Sequence, residues 1–159
     1  TGSSRLIIRE AGPGDAERVG EIAGSSFKFS RFHLDSLLDN SKADELIRLS
    51  ARNCILEKYA DIVYVAEVDG KIAGYYTGRK KYYGELGISL GEIVTLATCS
   101  EYRSMGVFRA LDTRVLNWFG ENTTIAELGT YLGNMPVHRV WAGRGLTIIR
   151  GTHLLSRMV

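Results

Sequence analysis

Residues 91–111 read GEIVTLATCSEYRSMGVFRAL. A half-buried strand pattern over Glu92–Thr98 runs into a turn carrying Arg103-Ser104-Met105-Gly106, and the turn runs into an amphipathic helix. That helix is expected over residues 107–119, with Val107, Leu111, Val115, Trp118 and Phe119 on one face. A helix that starts straight after a glycine-containing turn offers several unpaired backbone N–H groups at the positive end of its dipole. Such a start holds a phosphate or pyrophosphate without a metal. Arg-x-x-Gly occurs often by chance, and a plain strand-to-helix turn would also use one glycine. The strand before it and the unbroken helix after it are what make the segment a candidate site.

Working outward, the chain before this segment reads as strand, helix, helix and hairpin. Leu6, Ile7 and Ile8 form a short strand closed by Gly12-Pro13-Gly14. Asp15 is placed to cap a helix whose inner stripe is Val19, Ile22, Ala23 and Phe27. Residues 28–40 are irregular or a short helix. Ser41 and Asp44 form a capping box opening a helix to about Ala60, with Leu46, Leu49, Leu56 and Ala60 on its apolar side. Ile62–Val68 is a strand, Asp69-Gly70 a hairpin turn, and Lys71 to about Arg79 the returning strand.

After the Gly84–Gly87 linker and the central segment come a strand at Thr124–Thr130 and a short helix from Asn134 to about Ala142. Pro136 is tolerated in the first turn of that helix. A last strand is expected over Leu146–Met158. This order predicts an α/β protein with a mixed, mostly antiparallel sheet and a strand–helix–strand half. All 159 residues fit one domain. Residues 1–4, which lack a leading methionine, read as a leftover or flexible leader, or the chain is a piece of a longer protein.

Composition narrows the classes. A formal net charge of +2 argues for neither a nucleic-acid partner nor an acidic ligand. The basic run Arg79-Lys80-Lys81 before Tyr82-Tyr83 is short and reads as a solvated strand end. The two cysteines, Cys54 and Cys99, have no metal or disulfide spacing. They read as buried free thiols, which fits a reducing cytoplasm. No apolar run approaches the ~18 residues of a membrane span. A P-loop motif is absent, and the strand before the turn follows a hairpin, which is the wrong setting for a dinucleotide-binding fingerprint.

With these residues in view, the chain resembles the GNAT superfamily of acyl-CoA-dependent N-acyltransferases over nearly its whole length. The family loop pattern [QR]-x-x-G-x-[GA] is matched by Arg103 and Gly106, with Phe108 in place of the final small residue. A second family pattern, N-x-x-A-x-x-[LF]-Y-x-x-x-G-F, is echoed in spacing by Asn134, Val137, Val140, Trp141, Gly145 and Leu146. The resemblance implies acetyl-CoA as co-substrate, no metal, and a cofactor site made of Leu96, Ala97, Thr98, Arg103, Ser104, Met105, Gly106, Val107, Phe108 and Asn134. It also places Glu92 where the family's strand often carries a carboxylate.

The implied reaction is acetylation of a primary amine on a small molecule, the chain acting as a monomer or a homodimer, with neither nucleic acid nor membrane as partner. An amine is mostly protonated near neutrality, so a base is needed, and Glu92 is the candidate. Strand alternation would put Glu92, Val94, Leu96 and Thr98 on one face. Backbone N–H groups of residues 96–98 would hold the pantetheine arm and the developing oxyanion. Trp141 stands where many relatives carry a tyrosine acid; an indole N–H donates but does not titrate.

Of the three histidines, His33, His138 and His153, His153 is the best placed. Arg150-Gly151-Thr152-His153 resembles the ending of nucleotide-amino-sugar N-acetyltransferases, which makes an amino sugar one possible acceptor. The departures at Phe108 and Trp141 keep a non-catalytic acyl-CoA sensor open as an alternative. Protein or peptide acetylation is a further one.

Overall fold

The computed structural model describes residues 5–28 and 30–153. Among these residues five strands and four α-helices follow the expected order as far as the last helix. They are β1 (Leu6–Glu10), α1 (Ala16–Ser26), α2 (Asn40–Leu56), β2 (Ile62–Val68), β3 (Lys71–Tyr83), β4 (Ile88–Thr98), α3 (Val107–Asn122), β5 (Ile125–Glu127) and α4 (Met135–Gly143). The sheet runs β1-β2-β3-β4-β5 in space as in sequence. Its first three pairings are antiparallel and only β4–β5 is parallel. The hairpin between β2 and β3 turns on Asp69 and Gly70, at φ 50° and 79°, the left-handed geometry that an Asp-Gly pair accommodates.

Both faces of the sheet are covered. β2 therefore reads as a nearly continuous apolar run, Ile-Val-Tyr-Val-Ala, instead of an alternating one. Ile62, Tyr64, Ala66 and Tyr76 pack on Val107, Leu111, Val115 and Phe119 of α3. Val65, Tyr75 and Ala97 pack on Val19, Ile22 and Ala23 of α1 and on Ile47 and Ala51 of α2. Trp118, expected on the inner face of α3, is half-buried against Phe119 with ring centroids 5.5 Å apart.

Several local expectations are corrected. Asp15 precedes α1, but its carboxylate accepts the Gly12 N–H at 2.8 Å and pairs with Arg9 at 2.8 Å, and it does not cap the helix. The cap of α2 is Asp39, which accepts the Ser41 N–H at 2.8 Å. Asp44 instead receives the ring of His33. α2 ends at Leu56, before Ala60, and Lys58 follows at φ 52°.

The inner stripe of α2 is Ala43, Ile47, Ala51 and Cys54, while Leu46, Leu49 and Leu56 are exposed. Close approach to α1 explains the swap. A Cβ on Gly20 would stand 3.1 Å from the Arg48 carbonyl oxygen, and one on Gly24 3.3 Å from that of Asp44. Helices this near demand small residues between them, so the leucines turn outward.

At the chain's end, the strand expected over Thr124–Thr130 is confined to Ile125–Glu127. Residues 146–153 form no strand, and the rest of the expected last strand lies outside the described residues. Ile148 and Ile149 are exposed. A β-rich composition reports fit against a neighbouring strand, and this segment pairs with no strand among the described residues. Leu146 donates its N–H to the Trp141 carbonyl at 3.1 Å and Arg150 lies 2.5 Å from Glu127.

Candidate active site at the fork of the sheet

β4 and β5 pair over only three rungs, Leu90 with Ile125, Gly91 with Ala126, and Glu92 with Glu127. Beyond Glu92 the two strands part, so Ile93–Thr98 has β3 on one edge and no strand on the other among the described residues. Cys99 donates its N–H to Ala73 of β3 at 2.8 Å, and Thr95 donates its N–H to the Thr77 side chain at 2.8 Å. Alternation then turns the backbone N–H groups of Leu96 and Thr98 toward the open edge. Ala97 faces β3 with its backbone and the α1–α2 core with its methyl. The sheet thus offers a short row of free peptide groups starting where Glu92 stands.

That row leads to the start of α3. Ser104 and Gly106 are both left-handed, at φ 66° and 77°, and wind the turn tightly enough that α3 begins directly after it. The first bond into the helix runs from Ala110 N–H to Gly106 carbonyl. Val107, Phe108 and Arg109 therefore keep their N–H groups free of intrahelical partners. No side chain caps this end and no acidic residue sits in its first turn, which leaves the dipole's positive end for an external anion. Arg103 lines a cleft of about 200 Å³ with Arg18, Ser26 and Ser100.

Phe108 does not obstruct the turn. Its ring is turned inward, stacked on Tyr76 at a 6.3 Å centroid distance and 15° between planes. Only its backbone is left at the helix start. Met105 is 44% exposed, whereas the Val107 side chain is buried in the core. Asn134 immediately precedes α4, and its amide donates to Thr130 Oγ1 at 2.9 Å.

The expected common face of β4 is broken. Tyr76 faces Leu96 while Gly78 faces Ile93, so Thr77 alone stands opposite Val94 and Thr95. This bulge reverses the alternation. Leu96 and Ile93 pack toward α3, but Val94 packs with Cys54 of α2. Glu92, two residues before Val94, shares its face, so it does not share the face of Leu96 and Thr98. Its carboxylate is 28% exposed and accepts a hydrogen bond from Arg79 at 2.9 Å.

Trp141 is buried in the core, and its Nε1–H donates to Asp112 Oδ1 at 3.0 Å. Asp112 has no exposed surface. Tyr76 donates to the same oxygen at 3.1 Å. Oδ2 receives no directed hydrogen bond but lies 2.7 Å from Arg144 Nε. Burial pushes the Asp112 carboxyl up from the ordinary range, against the pull of Trp141, Arg144 and Tyr76. Asp112 went unnoticed in the sequence, where an Asp on the inner face of α3 beside Leu111 was the available signal.

His153 is exposed with no regular structure around it, and His138 reaches only the Tyr131 carbonyl, at 3.3 Å. His33 is buried, held between Ser30 Oγ at 2.7 Å and Asp44 at 2.8 Å. Neither cysteine is paired; Cys54 is buried and Cys99 only half-buried. Burial pushes the Cys54 thiol up to about 11. Among the described residues no group of His, Cys, Asp and Glu side chains could hold a metal ion, and no helix is long and apolar enough to cross a membrane.

A family model described as the acetyltransferase (GNAT) family matches residues 26–146. A search of curated proteins finds no significant relative by sequence. Solved structures match over nearly the whole chain at low identity. A transcriptional regulator from Bacillus halodurans C-125 superposes with a TM-score of 0.71 at 17% identity, covering 96% of this chain and 100% of that one. An aminoglycoside acetyltransferase from an uncultured soil metagenomic sample gives 0.66 at 16%, covering 98% of each. The ribosomal-protein-alanine N-acetyltransferase of Brucella melitensis biovar Abortus 2308 gives 0.67 at 13%, covering 97% and 100%.

Proposed function

This chain belongs to the GNAT acetyltransferase family, and from that membership we propose that it moves an acetyl group from acetyl-CoA to the primary amine of a small molecule. As a member of the family it is an acyl-CoA-dependent N-acetyltransferase; the acceptor class and the residue roles below are the proposal. The observation that carries it is the continuity from Glu92 at the fork, along the open edge of β4, to the uncapped start of α3. One path thus offers a carboxylate for the amine, peptide N–H groups for the thioester, and an anion site for the cofactor's pyrophosphate.

The residues present fit that cofactor, because the first turn of α3 holds no acid and no capping side chain and the Phe108 ring packs on Tyr76. When bound, acetyl-CoA supplies an activated acyl thioester. Val107, Phe108 and Arg109 N–H groups hold the pyrophosphate, with Arg103 beside it. Leu96 and Thr98 hold the arm and orient the carbonyl. Glu92 takes a proton from the amine, directly or through one water, so that the nitrogen lone pair can attack. A C–N bond forms, the C–S bond breaks, and the departing sulfur takes a proton. A thiol's reference pKa of about 8.5 makes this leaving group tolerable without a dedicated acid, and solvent serves in this reading. Trp141, with its N–H given to Asp112, acts as a support for α4.

An amino sugar is the first acceptor to try, and an aminoglycoside acetyltransferase among the structural neighbours supports a small polar amine. The sensor reading is favoured by one observation, the commitment of Trp141 to Asp112 in place of a titrating group at the sulfur. Thermal shift with acetyl-CoA and coenzyme A, followed by thiol release against an amine panel, separates the two. Stabilisation with thiol release supports acetyl transfer; stabilisation with none across the panel supports the sensor. No shift at millimolar acetyl-CoA removes both.

A further inference from the structure

Thr77 is wholly buried on β3, opposite the two residues of the β4 bulge. Its hydroxyl spends both of its capacities on one neighbour. It accepts the Thr95 N–H at 2.8 Å and donates to the Thr95 carbonyl at 2.7 Å. A bulge leaves one residue of the longer strand without its ladder partner, and here a side chain replaces that partner. The hydroxyl of Thr95 is itself held by Tyr75, 2.8 Å away and wholly buried. The bulge is thus fastened from β3 through two adjacent side chains.

The fastening has a consequence at the fork. Without the extra residue, strict alternation would carry Glu92 to the α3 side with Leu96 and Thr98, because a one-residue slip exchanges the faces of a strand. With it, Glu92 lies on the α2 side while Leu96 and Thr98 keep their N–H groups on the open edge. The acid and the amides are then offered from different directions, as an amine and a thioester meeting across a strand edge require.

We propose that Thr77 is a positioning residue for acyl transfer, its hydroxyl holding the β4 bulge that sets Glu92 and the open-edge amides in their relative places. This rests on the reading of the fork as the reaction centre. Valine has the shape of threonine without the hydroxyl, so T77V takes the partner from the half-buried Thr95 N–H and carbonyl. Serine keeps the hydroxyl.

The test compares wild type, T77S and T77V for coenzyme A affinity, kcat and KM with a reactive amine, and the amide resonances of Leu96 and Thr98. T77S should retain wild-type kcat. T77V should lose kcat by something on the order of tenfold to a hundredfold, shift both resonances, and weaken coenzyme A much less than it lowers kcat, because the pyrophosphate site at the α3 start is untouched. T77V with wild-type kcat and resonances overturns the proposal, and so does T77S as impaired as T77V. If T77V does not fold, T77S and hydrogen exchange of the wild-type Thr95 amide decide. Protection with T77S activity supports the role, and rapid exchange of that amide overturns it. A wild-type protein that binds no coenzyme A and releases no thiol would strike the acetyltransferase reading itself, a separate outcome.

Discussion

Trp141 gives its indole N–H to Asp112, a carboxylate with no surface exposed to water. With Tyr76 and Arg144 on the same carboxylate, this contact ties β3, α3 and α4 together behind the fork. Losing Asp112 strips the buried Trp141 and Tyr76 donors of their shared acceptor, at a cost of about 1–3 kcal/mol for each donor left unpaired. Arg144, on the exposed side, keeps its bonds to Arg109 and Thr113. D112A should therefore be among the most destabilising single substitutions in the chain, measured by urea unfolding. W141F removes the indole donor and puts a smaller aromatic ring in its place, and should cost about 1–3 kcal/mol for the acceptor left short of a partner. If Trp141 is a support and not an acid, W141F should leave the shape of the kcat–pH profile unchanged.

Two aspartates should respond to acid with opposite signs. Arg9 holds Asp15 below the usual carboxylate range, chiefly by hydrogen bonding. Its contribution is complete above the unfolded value, about pH 4, and is lost as pH falls through its lower folded value. Burial holds Asp112 above that range. Its carboxyl favours the folded state below about pH 4, and that advantage is lost as pH rises to its higher folded value. Urea midpoints followed from about pH 7 to pH 2 should fall less steeply for D15N than for wild type. D112N should remove the advantage specific to acid, so its midpoints should fall more steeply than wild type at the acid end.

Glu92 stands on the last rung before β4 and β5 part, with Arg79 on its carboxylate. E92Q preserves the shape and removes the base. Turnover should fall by roughly 10²–10⁴-fold if Glu92 takes the amine proton, while coenzyme A affinity, set at the α3 start, stays near wild type. Raising pH supplies more free amine and should restore part of the E92Q rate. Full wild-type turnover at every pH would remove Glu92 from the chemistry.

The sequence was readable where one residue decides the local geometry. Asp69-Gly70 reads as a left-handed hairpin because few other pairs tolerate it, and the α3 start reads from Gly106 in the same way. Reading failed where a contact with another element decides. The α2 leucines have the right period and the wrong face, because Gly20 and Gly24 bring α1 too close for them. Alternation along β4 predicted one face for Glu92 and Leu96, and an inserted residue held by a threonine on another strand reversed it. Residues 146–153 have strand composition without a strand beside them. Trp141 seemed a catalytic departure because its partner, Asp112, lies 29 positions away on another helix.

Two glycines beside the site should fail differently when given a methyl group. A Cβ on Gly91 would stand 2.5 Å from Phe119 Cδ1 and 2.8 Å from Cε1, and Phe119 is buried between α3 and the sheet. G91A should thus cost about 1–3 kcal/mol in urea unfolding, the scale of an overpacked core. Coenzyme A affinity should change little. At Gly106 nothing lies within 4 Å of a built Cβ, so the demand comes from φ of 77° alone. G106A should cost about 1–2 kcal/mol of left-handed strain, and relief of that strain would unwind the turn that frees Val107 and Phe108 N–H. Its loss should therefore appear in coenzyme A affinity as well as in stability. G106N should recover part of both, because asparagine tolerates the left-handed region better than alanine. Equal coenzyme A binding by wild type, G106A and G106N would show that the turn's geometry is not what holds the cofactor.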